Sequence, residues 1–250
     1  MEEERIAVIG DIHANLEALN AVVEDARSQS VTTFHCVGDV VGYNANPQEC
    51  ADIVRDICPT VVCGNHDHYC SHDKPLDDFQ PNAAIAIAWT RRMIKPETAA
   101  WLGSLPMSRT FFPKSFSMVH GTLDMPELWG YVFDVFDADA HFTYQPTPIC
   151  FHGHTHVPAV FEKAGSKVER YDAPPPGTRV SLAFGRKYFI NIGSVGQPRD
   201  GNPDSSYLIY EPRSRIIEFR RVKYDVQTAS DKVRKAGLPD RLADRLLVGR

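Results

Sequence analysis

Arg5-Ile6-Ala7-Val8-Ile9-Gly10-Asp11-Ile12-His13 is the stretch that decides the architecture. A short apolar run ends at a glycine, as a buried strand does, and an Asp-x-His triplet follows where the strand stops. Downstream, Leu16, Leu19, Val22, Val23 and Ala26 recur at helical spacing. A second apolar run, residues 34–37, ends at Gly38-Asp39, and a third, Val61-Val62-Cys63, ends at Gly64-Asn65-His66-Asp67. Between these two runs, residues 47–57 predict a helix that stops before Pro59. Strand, helix, strand, helix, strand predicts parallel pairing with right-handed crossovers. Each polar motif then falls at the C-terminal end of a strand, where open α/β sheets bind ligands.

The rest of the chain reads less regularly. Residues 82–103 predict helix, with Ile85, Trp89 and Ile94 on the apolar side and a restart at Pro96. From about residue 109 the period changes to two, and strands are expected at 116–120, 149–152, 157–162, 187–192, 207–210 and 216–222. Residues 173–177, with three consecutive prolines, predict a surface loop. The tail predicts a helix over 226–236 closed by Gly237, and another over 240–247. With no repeat and no low-complexity linker, residues 1–250 read as a single domain.

A chain of 250 residues with 43% hydrophobic composition can bury a sizeable core. Its formal charge is -5 and it has no basic stripe, which argues against long nucleic acid as a partner but leaves a small nucleotide open. No apolar run approaches the roughly 18 residues of a membrane helix, and the acidic start is unlike a signal peptide. A cytoplasmic protein is the expectation, with an oligomer left open. None of Cys36, Cys50, Cys58, Cys63, Cys70 and Cys150 forms a Cys-x-x-Cys pair, so reduced, packed thiols are expected.

The polar motifs carry the chemistry. Asp11 and His13, Asp39, Asn65, His120 in Val119-His120-Gly121, and His154 and His156 in Gly153-His154-Thr155-His156 come from separate strand ends. Each motif alone is weak, since Gly-Asn-His-Asp is also a good turn sequence. Together they give carboxylate, imidazole and amide oxygen without thiolate. That set suits two divalent ions drawn from Mn, Fe, Zn, Co or Ni, and the residues do not choose among them. Two carboxylates and a hydroxide against two divalent ions leave the site net positive, which attracts a phosphate ester. Such a pair of ions lowers the pKa of bound water enough to make hydroxide the nucleophile near neutral pH.

At this point the chain resembles the calcineurin-like metallophosphoesterase superfamily, in particular its compact bacterial and archaeal branch. The pattern Asp-x-His, Gly-Asp, Gly-Asn-His-Asp, lone His and Gly-His-x-His is present in order. Similarity extends to residues 10–19 and to Gly193-Ser194-Val195-Gly196-Gln197-Pro198-Arg199-Asp200-Gly201. The resemblance implies a four-layer α/β/β/α sandwich with two mixed β-sheets. It also implies that Asp11, His13, Asp39 and His156 hold one metal and Asp39, Asn65, His120 and His154 the other. His66 would face the phosphate and assist the leaving group. Ala14 stands where the family usually has Gly, acceptable if the backbone there is helical. Asn44 also stands at a common Gly position, where Asn tolerates a left-handed turn.

Further candidates are weighed beside their plainer readings. Asp67 could orient the His66 ring or simply cap a turn. Arg199 could clamp a phosphate oxygen or be a solvated turn residue, and Asn191 and Ser194 share its loop. His152 reads as a structural histidine. Trp129, Tyr131, Phe133 and Phe136 could stack an aromatic group, against a default of core packing or an oligomer contact. The reaction expected is phosphate-ester hydrolysis by in-line attack of the bridging hydroxide on a small phosphodiester or nucleotide. The alternatives are a phosphomonoesterase, including a protein phosphatase, or a non-catalytic scaffold that kept the fold.

Overall fold

In the computed structural model, which describes residues 3–77 and 79–250, the two expected sheets stack face to face with helices outside them. The first sheet is built around β1 (Ile6–Ile9), β2 (Thr33–Cys36) and β3 (Thr60–Val61). These three pair in parallel, as strand–helix–strand reading requires. The late strands β11 (Ser205–Glu211) and β12 (Ile216–Val222) then join antiparallel beside β1, with the short β9 (Arg179–Ser181) at the edge.

The second sheet runs in the order β4 (Ser108–Phe111), β5 (Phe116–Val119), β6 (Ile149–His152), β10 (Lys187–Asn191), β7 (Ala159–Ala164), β8 (Lys167–Asp172). It too mixes parallel pairs (β5–β6 and β6–β10) with antiparallel ones.

Alternation along each strand sorts side chains between two cores. Ile6 and Val8 of β1, Met118 of β5, Ile149 and Phe151 of β6, and Leu208 and Tyr210 of β11 meet in the core between the sheets. Ala7 and Ile9 face the other way, against Leu19, Val22 and Ala26 of α1 (Leu16–Ser28) and Val54 of α2 (Pro47–Ile57). Beyond the second sheet, Cys150 and Phe189 pack under Ala138 and Phe142 of α6 (Val135–Tyr144). The layers are therefore α/β/β/α. The tail helices α7 (Val226–Lys235) and α8 (Asp240–Val248) follow the reading closely, with Gly237 in the left-handed region at φ +71°. Among the described residues no helix is long and apolar enough to cross a membrane.

Three departures have local causes. Helix α4 (Pro81–Met93) and helix α5 (Pro96–Gly103) do divide before Pro96, but the buried face of α4 is Ala83, Ala86, Ile87 and Thr90, leaving Ile85 50% exposed. Small residues let this face approach its neighbours and leave Ile85 outside it, while Ile94 is buried and Trp89 packs part-buried against the tail helices. The left-handed residue after Gly42 is Tyr43 (φ 60°) rather than Asn44, whose amide instead donates to the His13 carbonyl at 2.8 Å. Ala14 is left-handed (φ 56°), not right-handed helical, so its methyl carries strain that Gly would avoid.

His141 of α6 shows how burial sets pH sensitivity. Its ring stacks on Phe189 with centroids 3.5 Å apart, and Nδ1 accepts the Leu123 backbone N–H. Burial pushes its pKa down from 6.5 to about 3. The unfolded ring takes a proton near 6.5 while the folded ring resists it. Stability from this group is thus complete above pH 6.5 and is lost as pH falls toward 3. Between pH 7 and pH 5 the loss is roughly 2 kcal/mol. His141→Gln keeps an acceptor for Leu123 and removes the titration. Its urea-unfolding free energy should vary by about 2 kcal/mol less than the wild type's over that interval.

Candidate metal centre

Every polar motif read from the sequence lies at one end of the sandwich, and backbone hydrogen bonds lace the motifs together. The Asp11 N–H donates to Gly38 O, His13 N–H to Asp39 O, Gly196 N–H to Asp11 O, and Gly153 N–H to His120 O. Asp11, His13, Asp39, His154 and His156 all sit at positive φ, between 47° and 69°. Five non-glycine residues held in that region mark a strained cluster, of the kind retained where side chains must converge. The glycines of the motifs have a steric role. A Cβ on Gly64 would lie 2.1 Å from Asp39 Oδ1, and one on Gly153 would lie 2.1 Å from Asp11 Oδ2. Only a glycine lets each carboxylate rest there.

The side chains form two outer groups, Asp11–His13–His156 and Asp39–His120–His154, in which the donor atoms lie within 4.8 Å of one another. His13 Nε2 is 3.1 Å from His156 Nε2, and His120 Nε2 is 3.1 Å from His154 Nδ1. Asp39 stands between the pairs. Its Oδ1 accepts the His66 backbone N–H at 2.9 Å, and its Oδ2 lies 3.5 Å from His13 Nε2 and 3.3 Å from His120 Nε2. Asp11 accepts the His154 N–H on both oxygens, with Oδ1 3.3 Å from His156 Nε2.

The protonation states follow from the outer ring nitrogens. Those of His13, His120, His154 and His156 face the carbonyls of Val41, Val37, Trp129 and Gln197 at 2.6–3.2 Å. A carbonyl only accepts, so each outer nitrogen carries the hydrogen, and wherever the ring is neutral its lone pair points inward. Burial holds His13 and His156 below their ordinary pKa, and pushes His154 down to about 3. The lone pairs of His13 and His156 then confront each other. That contact is repulsive for bare nitrogens and suits two donors on one cation. Donors about 2.1 Å from an ion and near right angles to each other are about 3.0 Å apart.

His120 reports the same demand. Burial alone would lower its pKa, but the Asp39 carboxylate beside it prevails and lifts it to about 9. Burial opposes ionisation of Asp39 too, yet the neighbouring His120 and His66 rings hold it well below the usual carboxylate range. The cluster calls for positive charge. Asn65 Oδ1 is a buried acceptor with no partner, a further oxygen suited to a cation. The donors fit divalent transition ions.

His66 lines the cleft above these groups, with Arg199, Tyr43 and Asn65. Its ring packs 4.3 Å from Tyr43 and 4.8 Å from His13 between centroids, and burial lowers it to about 4. A Cβ on Gly42 would meet His66 Nδ1 at 2.3 Å. Arg199 also reaches the cleft. Its Nη2 donates to Gln197 Oε1 at 2.9 Å, while its Nε is buried without a partner.

Of its two readings, Asp67 makes the contacts of a cap rather than those of a partner to the His66 ring. Its Oδ1 accepts the Val40 and Val41 N–H groups at 2.9 and 3.3 Å, and its Oδ2 accepts the Gly64 N–H at 3.1 Å, while His66 Nδ1 has no partner. The carboxylate ties the Asp39 loop to the start of α3 (Asn65–Ser71). Burial and the Asp39 charge push it up to about 7, against those three donors. Asp67→Asn would turn an amide N–H₂ toward a backbone donor. It should cost about 1–3 kcal/mol in unfolding free energy. A fall in kcat with unchanged unfolding would instead mean that Asp67 acts through the His66 ring.

Asn191 and Ser194 brace backbone: Asn191 Nδ2 donates to Gly153 O at 2.6 Å, and Ser194 Oγ to Asp11 O at 2.8 Å. His152 stacks on Phe189 at 3.7 Å, as a structural histidine would. Trp129 and Tyr131 line the cleft, whereas Phe133 and Phe136 are 62% and 80% exposed, so core packing is wrong for that pair. Sequence reading missed Tyr43, Tyr69 and Phe79 as cleft residues; a tyrosine directly after Gly38-Asp39-Val40-Val41-Gly42 was the available signal for the first. All six cysteines are buried and free.

Converging carboxylate and imidazole donors at the strand ends of an α/β/β/α sandwich define a metal-dependent hydrolase. The chain belongs to the calcineurin-like phosphoesterase superfamily, whose domain model matches residues 5–215. An uncharacterized protein of Methanocaldococcus jannaschii is 40% identical over 252 residues, spanning all of both chains. The crystal structure of a metallophosphoesterase from Sphaerobacter thermophilus superposes with a TM-score of 0.88 at 38% identity, again over 100% of each chain. A hypothetical protein from Pyrococcus horikoshii OT3 shares the fold at 16% identity, with a TM-score of 0.75 over 98% of each chain. The protein is a metal-dependent phosphoesterase.

Proposed function

We propose that this phosphoesterase carries a binuclear centre and hydrolyses small phosphodiesters or nucleotide-type esters. Asp11, His13, Asp39 and His156 would hold one divalent ion, and Asp39, Asn65, His120 and His154 the other, with Mn, Fe, Zn, Co or Ni suited to the donors. The observation that carries this reading is Asp39 Oδ2, placed within 3.5 Å of a nitrogen from each histidine pair. When bound, the ions would supply a nucleophilic water of lowered pKa and neutralise charge on the phosphate.

The protein's own groups do the rest. The four outer N–H···O=C bonds fix ring orientation and keep the lone pairs directed inward. His66, which lines the cleft next to Asn65, would hydrogen-bond the ester oxygen as it leaves. Arg199, whose side chain lines the cleft, would hold a non-bridging phosphate oxygen.

A diester is favoured over a monoester by the cleft wall. Among the described lining residues beyond the candidate ligands, Arg199 is the one fixed cation and Glu127 the one acid, while the remainder are mostly aromatic or apolar. A monoester dianion would gain from further cations; a diester carries one charge and two organic groups. The test is a metal screen with bis(p-nitrophenyl) phosphate and p-nitrophenyl phosphate. The diester should give the larger kcat/KM. The reverse order would overturn the diester preference, and no turnover of either by fully loaded protein would remove the catalytic reading.

A further inference from the structure

The cleft above the metal centre is far larger than a phosphoryl group needs. Its volume is about 490 Å³, within the roughly 300–1,000 Å³ typical of sites for whole small molecules. Five of its lining residues are aromatic: Tyr43, Tyr69, Phe79, Trp129 and Tyr131. They come from three separate parts of the chain, and Trp129 lies 5.8 Å from His68 of the helix that carries His66 and Tyr69. On the His66 side, Phe79 lies 6.0 Å from the His66 ring and 4.7 Å from Tyr69, both edge to face. Across the centre, Tyr131 stacks on His154 at 3.9 Å, and Trp129 lies 6.2 Å from His120.

The rings differ in what they leave open. Tyr131 already stacks with two rings, His154 at 3.9 Å and Phe133, nearly parallel to it at 5.5 Å. Its stack therefore braces the wall. Trp129 and Phe79 have only edge-to-face or tilted neighbours among the described residues, so neither has a parallel ring on its face. Core packing does not explain Trp129, which is half-buried beside the exposed Leu128 (65%) and joins none of the apolar clusters among the described residues. Gln80, exposed at the rim beside Phe79, offers an amide that can both donate and accept. An aromatic platform with an amide at its edge is the means by which proteins hold a nucleobase.

We infer that the non-leaving group of the substrate is a nucleoside, its base seated against Trp129 and Phe79. This deepens the diesterase reading and rests on it. Stacking of one base adds roughly 5- to 150-fold in affinity. The esters to compare share one leaving group, p-nitrophenolate: thymidine 5′-phosphate p-nitrophenyl ester, phenyl p-nitrophenyl phosphate and ethyl p-nitrophenyl phosphate. Metal-loaded wild type should prefer the nucleoside ester over the ethyl ester by about 10-fold or more in kcat/KM, chiefly through KM. That ratio should collapse in Trp129→Leu and in Phe79→Leu, and persist in Trp129→Phe. Thymidine 5′-monophosphate should also quench tryptophan fluorescence in the wild type and fail to do so in Trp129→Leu, a readout independent of turnover. Equal kcat/KM for the nucleoside and ethyl esters, or a preference untouched in both leucine variants, would overturn the proposal while leaving the diesterase reading intact. A phenyl ester as good as the nucleoside ester would replace the base with a bare aryl group. No turnover of any ester by protein holding its metals would overturn the diesterase reading and this proposal together.

Discussion

Asp39→Ala should lose both metals and essentially all activity in one step. Asp39 is the carboxylate common to the two histidine pairs: one oxygen is fixed by the His66 N–H and the other faces His13 and His120 at 3.5 and 3.3 Å. Removing it deletes the carboxylate that both proposed ligand sets share and takes away the charge that lifts His120 to about 9. The His120–His154 and His13–His156 contacts, at 3.1 Å each, would then lose the anion that favours a cation beside them. Loss of a single transition-state donor commonly costs 10²–10³ in kcat, so loss of the shared ligand should exceed roughly 10³-fold. Metal content by elemental analysis should fall from two equivalents to below one. An Asp39→Ala protein that kept two equivalents would show that the bridging assignment is wrong, whatever its activity.

His66→Ala should separate chemistry from metal binding. The ring lines the cleft, has no polar partner at Nδ1 among the described residues, and packs against His13 and Tyr43. Its backbone N–H, which holds Asp39, survives the substitution. Two equivalents of metal should therefore remain, while kcat falls by about 10²–10⁴-fold with KM little changed. The loss should be smaller for p-nitrophenolate, which departs readily, than for an alkoxide, which needs the hydrogen bond. Equal losses for both leaving groups would place His66 in phosphate binding rather than departure. Loss of metal in His66→Ala would make it a ligand, a reading that its position in the cluster His13–Asp39–His66 makes worth the measurement.

Much of the fold was legible because its signals are local. The run from Ile6 to Ile9, the spacing of Leu19, Val22 and Ala26, and the Gly-Asp and Gly-Asn breaks each report a period or a turn within a few residues. Helix α6 was not legible: Ala138 and Phe142 are buried while Phe136 and Tyr144 are exposed, so apolar residues occur on both faces and no helical stripe emerges. Strands β8 and β9 were missed for the opposite reason, since both are edge strands with mostly polar, exposed residues. The Ala14 reading failed because nothing in the side chains around it distinguishes a right-handed from a left-handed turn.

The candidate ligands follow the same division. Asp11, His13, Asp39, Asn65, His120, His154 and His156 could be picked out from residue chemistry and strand-end placement. The backbone carbonyls that set their tautomers could not, because a carbonyl is present at every residue and only its position distinguishes it. Nor could the reach of the Asp67 cap beyond its own turn, to the main-chain N–H groups of Val40 and Val41 as well as Gly64.

The sequence by itself determined the donor inventory, the parallel start of the first sheet and the end of the sandwich where the donors collect. These depend on short-range period and residue type. The tertiary structure decided which donors face one another. His13 and His156 are 143 positions apart and meet at 3.1 Å because two sheets pack with their strand ends together. It also decided that one Asp39 oxygen lies between both pairs, that Asp67 serves the loop rather than the His66 ring, and that Trp129 and Phe79 both line the cleft. A contact between distant residues is fixed by how sheets and loops pack, and no local pattern records that distance.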